Sequence, residues 1–427
     1  MKRLACCLVL VGLLVPSVAG AVDVGIDSTT LVSFQQQSVP LFSKQLFAPA
    51  TEFLGVDMSK LGDGNLSFHL YGWGRADLAD KSTSEGRTDG DLAYAYLKYR
   101  FPSANGQIRL GRFIVNEGVA IEQIDGISAR ADICRTFGLS VFGGVPVKPD
   151  WYKKGKGEYI YGGRANVRLG GILDLGVSAL QEGRVVVNQL TGEKRNRDLV
   201  GGDVWFSPFR MVELAGHTFY NATTKGVAEN SYLLTVKPVK TVTLTGEYNK
   251  NRLKDYFAFS NVPQIFNPNT GDRLESYGGS ASWKILKPLE VIGDYKHYRR
   301  DSVGKSDRYG ADVRYSLMDN QVRTGVAFHR SSGADGINAY NEYRGYVTYR
   351  GQKYQGSIDG IAHCFDAAVY GKHNAYGVTA SAGYRIMPDL VLSGDLGYGA
   401  DPRQTNDLRG LIKLTYNFNY MDKGAKQ

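Results

Sequence analysis

No stretch of this 427-residue chain is long and apolar enough to cross a bilayer as a helix. The one extended apolar run, Leu4 to Val18, falls short of the roughly 18–20 residues that a spanning helix needs. Cysteine is scarce, at 4 residues, and Cys6 and Cys7 sit inside that run. The other two, Cys134 and Cys364, allow one disulfide in an oxidising compartment, although the sequence does not show that they meet. Cys-x-x-Cys-His does not occur, which excludes a c-type haem held by the usual attachment, and no Cys/His spacing suits a metal. Charged residues make up 22% and hydrophobic ones 43%, too apolar a balance for a disordered chain.

Glycine and aromatic residues are abundant, with 52 Gly, 27 Tyr and 18 Phe. This combination points to many turns and many outward-facing rings. At the N-terminus, Lys2 and Arg3 precede the apolar run, and Ala19-Gly20-Ala21 follows it as a small-x-small site. The pattern predicts a secretory signal peptide over 1–21, with an uncleaved anchor as the alternative. Cys6 and Cys7 lie too early in the apolar run to serve as a lipidated cysteine.

From about Asn65 onward one pattern repeats: some ten residues alternating apolar and polar, then a turn. Between Leu408 and Tyr420 one face carries Leu408, Gly410, Ile412, Leu414, Tyr416, Phe418 and Tyr420, and the other Arg409, Leu411, Lys413, Thr415, Asn417 and Asn419, with only Leu411 breaking the rule. Thr241–Asn249 and Arg308–Leu317 behave alike. Period two over such lengths argues strand. The strands exceed the roughly 5–6 residues usual in soluble proteins and match the roughly 9–11 that cross a bilayer at a tilt. About 20 can be placed (range 16–22), with short links such as Pro102–Gly106 and Gly170–Gly171 alternating with longer polar loops such as Asp77–Gly90 and Lys250–Asp272.

The fold class this predicts is all-β: a closed antiparallel transmembrane barrel. Hydrocarbon offers no hydrogen bonds, so a chain without spanning helices must pair every backbone group by closing its sheet. Closure puts lipid outside and water inside, and the alternation follows. Tyr99, Tyr161, Tyr248, Tyr277, Tyr295, Tyr309, Tyr315, Tyr343, Tyr349, Tyr398, Tyr416 and Tyr420 suit interfacial girdles at strand ends. The organisation expected is a leader over 1–21, an arm, plug or further strand over 22–64, the barrel over 65–420 and a tail over 421–427.

Ile108-Arg109-Leu110-Gly111-Arg112, Ile124-Asp125-Gly126 and Leu139-Ser140-Val141-Phe142-Gly143-Gly144 resemble porin-like outer-membrane proteins, especially those of metal-respiring deltaproteobacteria. The resemblance implies a general porin or the barrel of a porin–cytochrome electron conduit. In the second case the partners would be multihaem c-type cytochromes and the barrel would carry no cofactor. Many outer-membrane proteins end in an aromatic residue read during assembly, whereas here Tyr420 is followed by Met421–Gln427.

Strict alternation places Lys98, Arg100, Arg109, Arg164, Arg168, Arg308, Arg314, Arg323, Arg344, Arg350, Arg409 and Lys413 on the inward faces. Inward acids are fewer: Asp174, Glu247, Asp294, Asp312, Glu342 and Asp395. The net charge is +9, or +7 without Lys2 and Arg3. A positive, water-filled lumen should favour anions, unless its charges pair across strands as structural ladders. Arg112 falls on the apolar face, so either a bulge at Gly111 re-aims it or it snorkels.

No catalytic, metal or cofactor set emerges. His69, His217, His297, His329, His363 and His373 are scattered, and His363 and Cys364, adjacent on a strand, face opposite sides. The basic segments Lys153–Lys156 and Glu193–Arg197 would suit nucleic acid in a cytosolic protein. On an outward loop they suit lipopolysaccharide instead. The loop Lys250–Asp272, with Tyr256, Phe257, Phe259 and Phe266, suits an inward constriction, a partner site or a free outer loop. Three functions follow in order: an outer-membrane diffusion channel for small hydrophilic, anionic solutes, able to form homo-oligomers; a cytochrome sheath; and a barrel enzyme, which the missing motifs disfavour.

Overall fold

A computed structural model describes residues 22–37, 45–79, 88–148, 157–186, 194–252, 255, 272–333, 339–403 and 407–420. The proposed leader, the tail, Lys153–Lys156 and most of Lys250–Asp272 lie outside the described residues.

The first strands are β1 (Asp23–Gln37), the three-residue β2 (Gln45–Phe47), β3 (Pro49–Leu61), β4 (Leu66–Asp77), β5 (Thr88–Arg100) and β6 (Gly106–Glu117). Next come β7 (Ala120–Asp132), β8 (Phe137–Pro146), β9 (Tyr159–Leu169), β10 (Leu173–Val186), β11 (Lys194–Phe209) and β12 (Val212–Asn221). They are followed by β13 (Gly226–Val239), β14 (Val242–Arg252), β15 (Arg273–Leu286), β16 (Leu289–Arg300), β17 (Gly304–Leu317) and β18 (Val322–Gly333). The last are β19 (Tyr340–Arg350), β20 (Tyr354–Val369), β21 (Lys372–Met387), β22 (Leu390–Ala400) and β23 (Asp407–Tyr420).

Each long strand pairs antiparallel with its neighbours in sequence, and β1 pairs with both β3 and β23. The β1–β23 ladder runs from Val24↔Tyr420 to Gln36↔Leu408, so the sheet closes on itself as a barrel of 22 long strands with β2 as a short extension. At this seam the Phe34 ring covers Gly410, filling the space of the missing side chain. Closure leaves the ring without an edge to be satisfied by lipid.

The twenty strands read from Asn65 onward correspond to β4 through β23. Of the alternatives for 22–64, the structure gives wall strands, β1 and β3. Their alternation is weak because Glu52 lies on the outer face, where it accepts hydrogen bonds from the Ser28 (2.6 Å) and Thr30 hydroxyls. Elsewhere one parity of each strand exposes large apolar and aromatic side chains, as with Leu408, Ile412, Leu414, Tyr416 and Phe418 on β23. Ten of the twelve girdle tyrosines are exposed in this way; Tyr99 and Tyr248 are half-buried.

The start of β1 and the end of β23 lie with the short turns. Asp23 and Tyr420 share one rim with the links after β3, β5, β7 and β9. In the last of these, Gly170 (φ 56°) and Gly171 (φ 72°) supply the two consecutive positive φ values that a tight hairpin link needs.

Candidate functional site: the lumen wall and an inward hairpin

All twelve predicted cations occupy the parity opposite to the exposed apolar residues, hence the inner face. Six are paired. Arg164 meets Asp203 (2.5 Å) and Asp174 (3.4 Å), Arg308 meets Glu342 (3.2 Å) and Asp294 (3.4 Å), and Arg314 meets Asp312 (3.0 Å). Arg344 meets Asp359 (3.0 Å), while Arg168 and Arg409 meet Asp132 and Asp407. The other six, Lys98, Arg100, Arg109, Arg323, Arg350 and Lys413, have no carboxylate partner among the described residues. Arg109 instead donates to the Ser128 hydroxyl (3.0 Å) and lies over the Phe113 ring at 4.8 Å. Half of the set therefore forms structural ion pairs with carboxylates, and the other half has no carboxylate partner among the described residues.

Several histidines join the ladders. His329, only 6% exposed, contacts Asp294 at 2.8 Å and lies near Asp312 and Glu342, while His363 contacts Glu342 at 3.3 Å. His69 meets Asp57 on the inner face, whereas His297 meets Asp307 on the outer face, in register with the exposed Tyr277. Among the described residues no group of three or more ligating side chains suits a metal ion. The possible disulfide is not formed: Cys134 and Cys364 are both free. Cys134 is exposed in the turn after β7, whereas Cys364 sits within β20, paired to Asn341 and Asn374 on strands remote from that turn.

One hairpin leaves the wall. β5 and β6 pair only from Arg100↔Gln107 to Ala95↔Arg112, and β7 and β8 only from Asp132↔Gly138 to Ile124↔Pro146. Beyond those points β6 and β7 pair only with each other. The departure line is a row of glycines, because Gly111, Gly126 and Gly144 are register partners across β6, β7 and β8. Gly111 has φ 125°, and a Cβ there would fall on the Ala95 carbonyl oxygen. Side chains would likewise collide with the Gly143 carbonyl at Gly126 and the Asp125 carbonyl at Gly144. Only glycine permits this backbone and this approach.

The free edge of β5 is capped by side chains. Arg112 donates to the Leu92 carbonyl (3.2 Å), and Gln123 to the Ala93 carbonyl (2.6 Å). Asp89 and Asp91 accept from the backbone N–H groups of Gly90 (2.8 Å) and Leu92 (2.7 Å). Arg112 thus stays on the outer face, held by its cross-strand partner Asp125 at 2.7 Å, rather than being re-aimed inward.

Inside, Phe113, Val115, Val119, Ala120 and Ile124 pack against Phe142, Ile160, Leu180, Leu199, Phe219 and Ala228 of β8 to β13. Phe113, Val115 and Ile124 are fully buried. Burying a side chain of this size contributes roughly 1.5–3 kcal/mol, so the hairpin is held firmly. The Val119 N–H donates to Ser178 Oγ (3.0 Å), and Arg197 bridges Glu122 of the hairpin to Glu182 of β10 (2.9 Å). Because β13 is six strands from β7, the hairpin must run inward to reach it, and it narrows the bore. Most of Lys250–Asp272, for which an inward constriction is one of three readings, lies outside the described residues. The one found was signalled by Phe113-Ile114-Val115 and Val119-Ala120-Ile121, where alternation lapses into continuous apolar sequence. Beside it, Phe53, Tyr71, Tyr94 and Tyr96 make a panel of half-buried rings ending on Phe113.

This is a transmembrane β-barrel. No protein-family model matches the sequence, and no curated protein matches it. Among solved structures, a mutant of the ferric enterobactin receptor PfeA from Pseudomonas aeruginosa is similar at TM-score 0.57 and 10% identity, covering 93% of this chain and 81% of that one. The PapC translocation pore of the P pilus usher matches at TM-score 0.47 and 10% identity, covering 93% of this chain and 99% of that one. Acinetobacter baumannii OccAB3 matches at TM-score 0.47 and 7% identity over 93% and 99% of the two chains. At such identities the likeness concerns the fold alone.

Proposed function

We propose that this protein is a porin-like channel of a Gram-negative outer membrane, passing small hydrophilic solutes with a preference for anions. The observation that carries the reading is the inner wall of the closed ring, where six of the twelve cations placed there have no carboxylate partner among the described residues. In a water-filled bore such charges raise the local concentration of anions. The rim with the short turns, the start of β1 and the end of β23 would face the periplasm, and the longer loops the outside. We favour the channel over a cytochrome sheath because the β6–β7 hairpin occupies part of the bore that a haem protein would need.

The test is reconstitution of the purified full chain in planar bilayers under a salt gradient. An ohmic current whose reversal potential has the sign of anion preference supports the reading, and Lys98→Gln, Arg323→Gln and Lys413→Gln together, which remove three of the cations without a carboxylate partner, should shift it toward cations. Absence of current, with haem co-purifying at stoichiometric level, would favour the sheath.

A further inference from the structure

The unpaired cations are not spread evenly, and three of them frame one cavity. Arg323, Arg350 and Lys413 line a recess of about 510 Å³ in the inner wall over β18 to β23. Its floor is made of small polar side chains. One row of register partners runs Arg323–Thr348–Ser357–Ser381–Asp395, and the next runs Arg350–Gln355–Gly383–Ser393–Lys413. Cations therefore stand at the two ends of a hydroxyl-bearing floor. Four strand spacings separate Arg350 from Lys413, about 19 Å between backbones, and their long side chains can close most of that gap. The neighbouring Arg314 and Arg344, by contrast, are each neutralised by an aspartate.

We propose that this recess binds a small hydroxylated dicarboxylate. One carboxylate meets the Arg323 and Arg350 guanidiniums, the other meets the Lys413 ammonium, and a hydroxyl between them donates to Asp395. Guanidinium groups hold carboxylates through two parallel hydrogen bonds, which suits the arginine end. Asp395 repels an unsubstituted dianion and accepts a hydrogen bond from a hydroxylated one, so it selects between the two. The inference deepens the channel reading and rests on it.

Malate and succinate differ by one hydroxyl and serve as probes. Titration calorimetry of the detergent-solubilised full chain should show saturable binding of malate, weaker binding of succinate, and about a tenfold loss of malate affinity for each of Arg323→Gln, Arg350→Gln and Lys413→Gln. Lys98→Gln removes an unpaired lumen charge outside the recess and should leave the affinity within about twofold of the parent. Asp395→Ala, which removes the acceptor altogether, should bring the malate-to-succinate affinity ratio toward one; taking a ratio cancels the general gain from removing a negative charge. The same anions should block the bilayer current in the same rank order. Equal losses for Lys98→Gln and the three recess variants would overturn the site in favour of a diffuse field, and so would a ratio unchanged by Asp395→Ala. A conducting protein that binds neither anion leaves the channel standing and removes the site. A non-conducting protein that binds malate with this variant pattern keeps the site and removes the channel.

Discussion

Phe113→Ala tests the inward hairpin. The Phe113 side chain is fully buried at the centre of the apolar contact between the hairpin and the inner wall. Truncating such a phenylalanine costs about 3–5 kcal/mol. If that cost falls on docking, the docked-to-released ratio drops roughly a hundred- to several-thousand-fold, at about 1.4 kcal/mol per decade. Twenty-two strands spaced about 4.8 Å apart and tilted about 40° give a backbone radius of about 22 Å, or about 16 Å after side chains. A two-stranded ribbon about 10 Å wide and about 17 Å long covers on the order of a fifth of that opening. Release should therefore raise single-channel conductance by about a quarter, or make it flicker between two levels. The assay is single-channel recording in planar bilayers, with heat-modifiable gel migration showing that the barrel has assembled. An assembled Phe113→Ala protein with parental conductance and parental noise would refute the reasoning.

Gly111→Ala should destabilise the barrel by about 1–3 kcal/mol or more in urea titrations, because its φ of 125° and the Ala95 carbonyl both oppose a side chain. Gly246→Ala, where an added Cβ meets nothing within 4 Å, should change stability little, and equal effects would sink the crease. In the turn after β3, the Asp63 carboxylate accepts from the Asn65 backbone N–H (3.0 Å) and the Tyr99 hydroxyl (2.9 Å), which together hold its pKa below the usual carboxylate value. Its contribution is present above the unfolded carboxylate pKa and lost as pH falls through the lowered one. Tyr99→Phe should therefore weaken the fold at neutral pH and match the parent in acid, and a deficit that persists in acid would contradict this. Cys134, exposed in a turn on the rim shared by the start of β1 and the end of β23, should resist a bulky maleimide in intact cells and react after the outer membrane is opened. Prompt labelling in intact cells would reverse the orientation.

Most of the barrel was legible from the sequence because lipid outside and water inside impose period two on every strand. β4 through β23 obey it well enough to be placed. Residues 22–64 read as an arm, a plug or a further strand, because Glu52, Ser28 and Thr30 satisfy one another on the outer face of β1 and β3 and blur the alternation. The inward parity of the twelve cations was equally readable, since parity is a property of the strand alone. Which of them pair was not, because Arg164–Asp203 and Arg308–Glu342 join residues 39 and 34 positions apart through barrel register. The hairpin is the instructive failure. Residues 113–124 have strand character throughout, but their burial against six other strands follows from the glycine row, whose members align only once the sheet has formed.

The central claim is that the sheet closes through β1 and β23 around a bore. In a background with Cys134→Ser and Cys364→Ser, cysteine pairs can be placed at Thr29/Thr415 and at Ser28/Tyr416, both register partners across that seam. Adjacent register pairs alternate between wide and close spacing, so one of the two pairs has geometry that suits a disulfide. Mild oxidation of the membrane-inserted protein should give an intrachain link joining residues some 390 positions apart in sequence. Links that form only between chains, or not at all, in protein that has reached its heat-modifiable state would contradict closure.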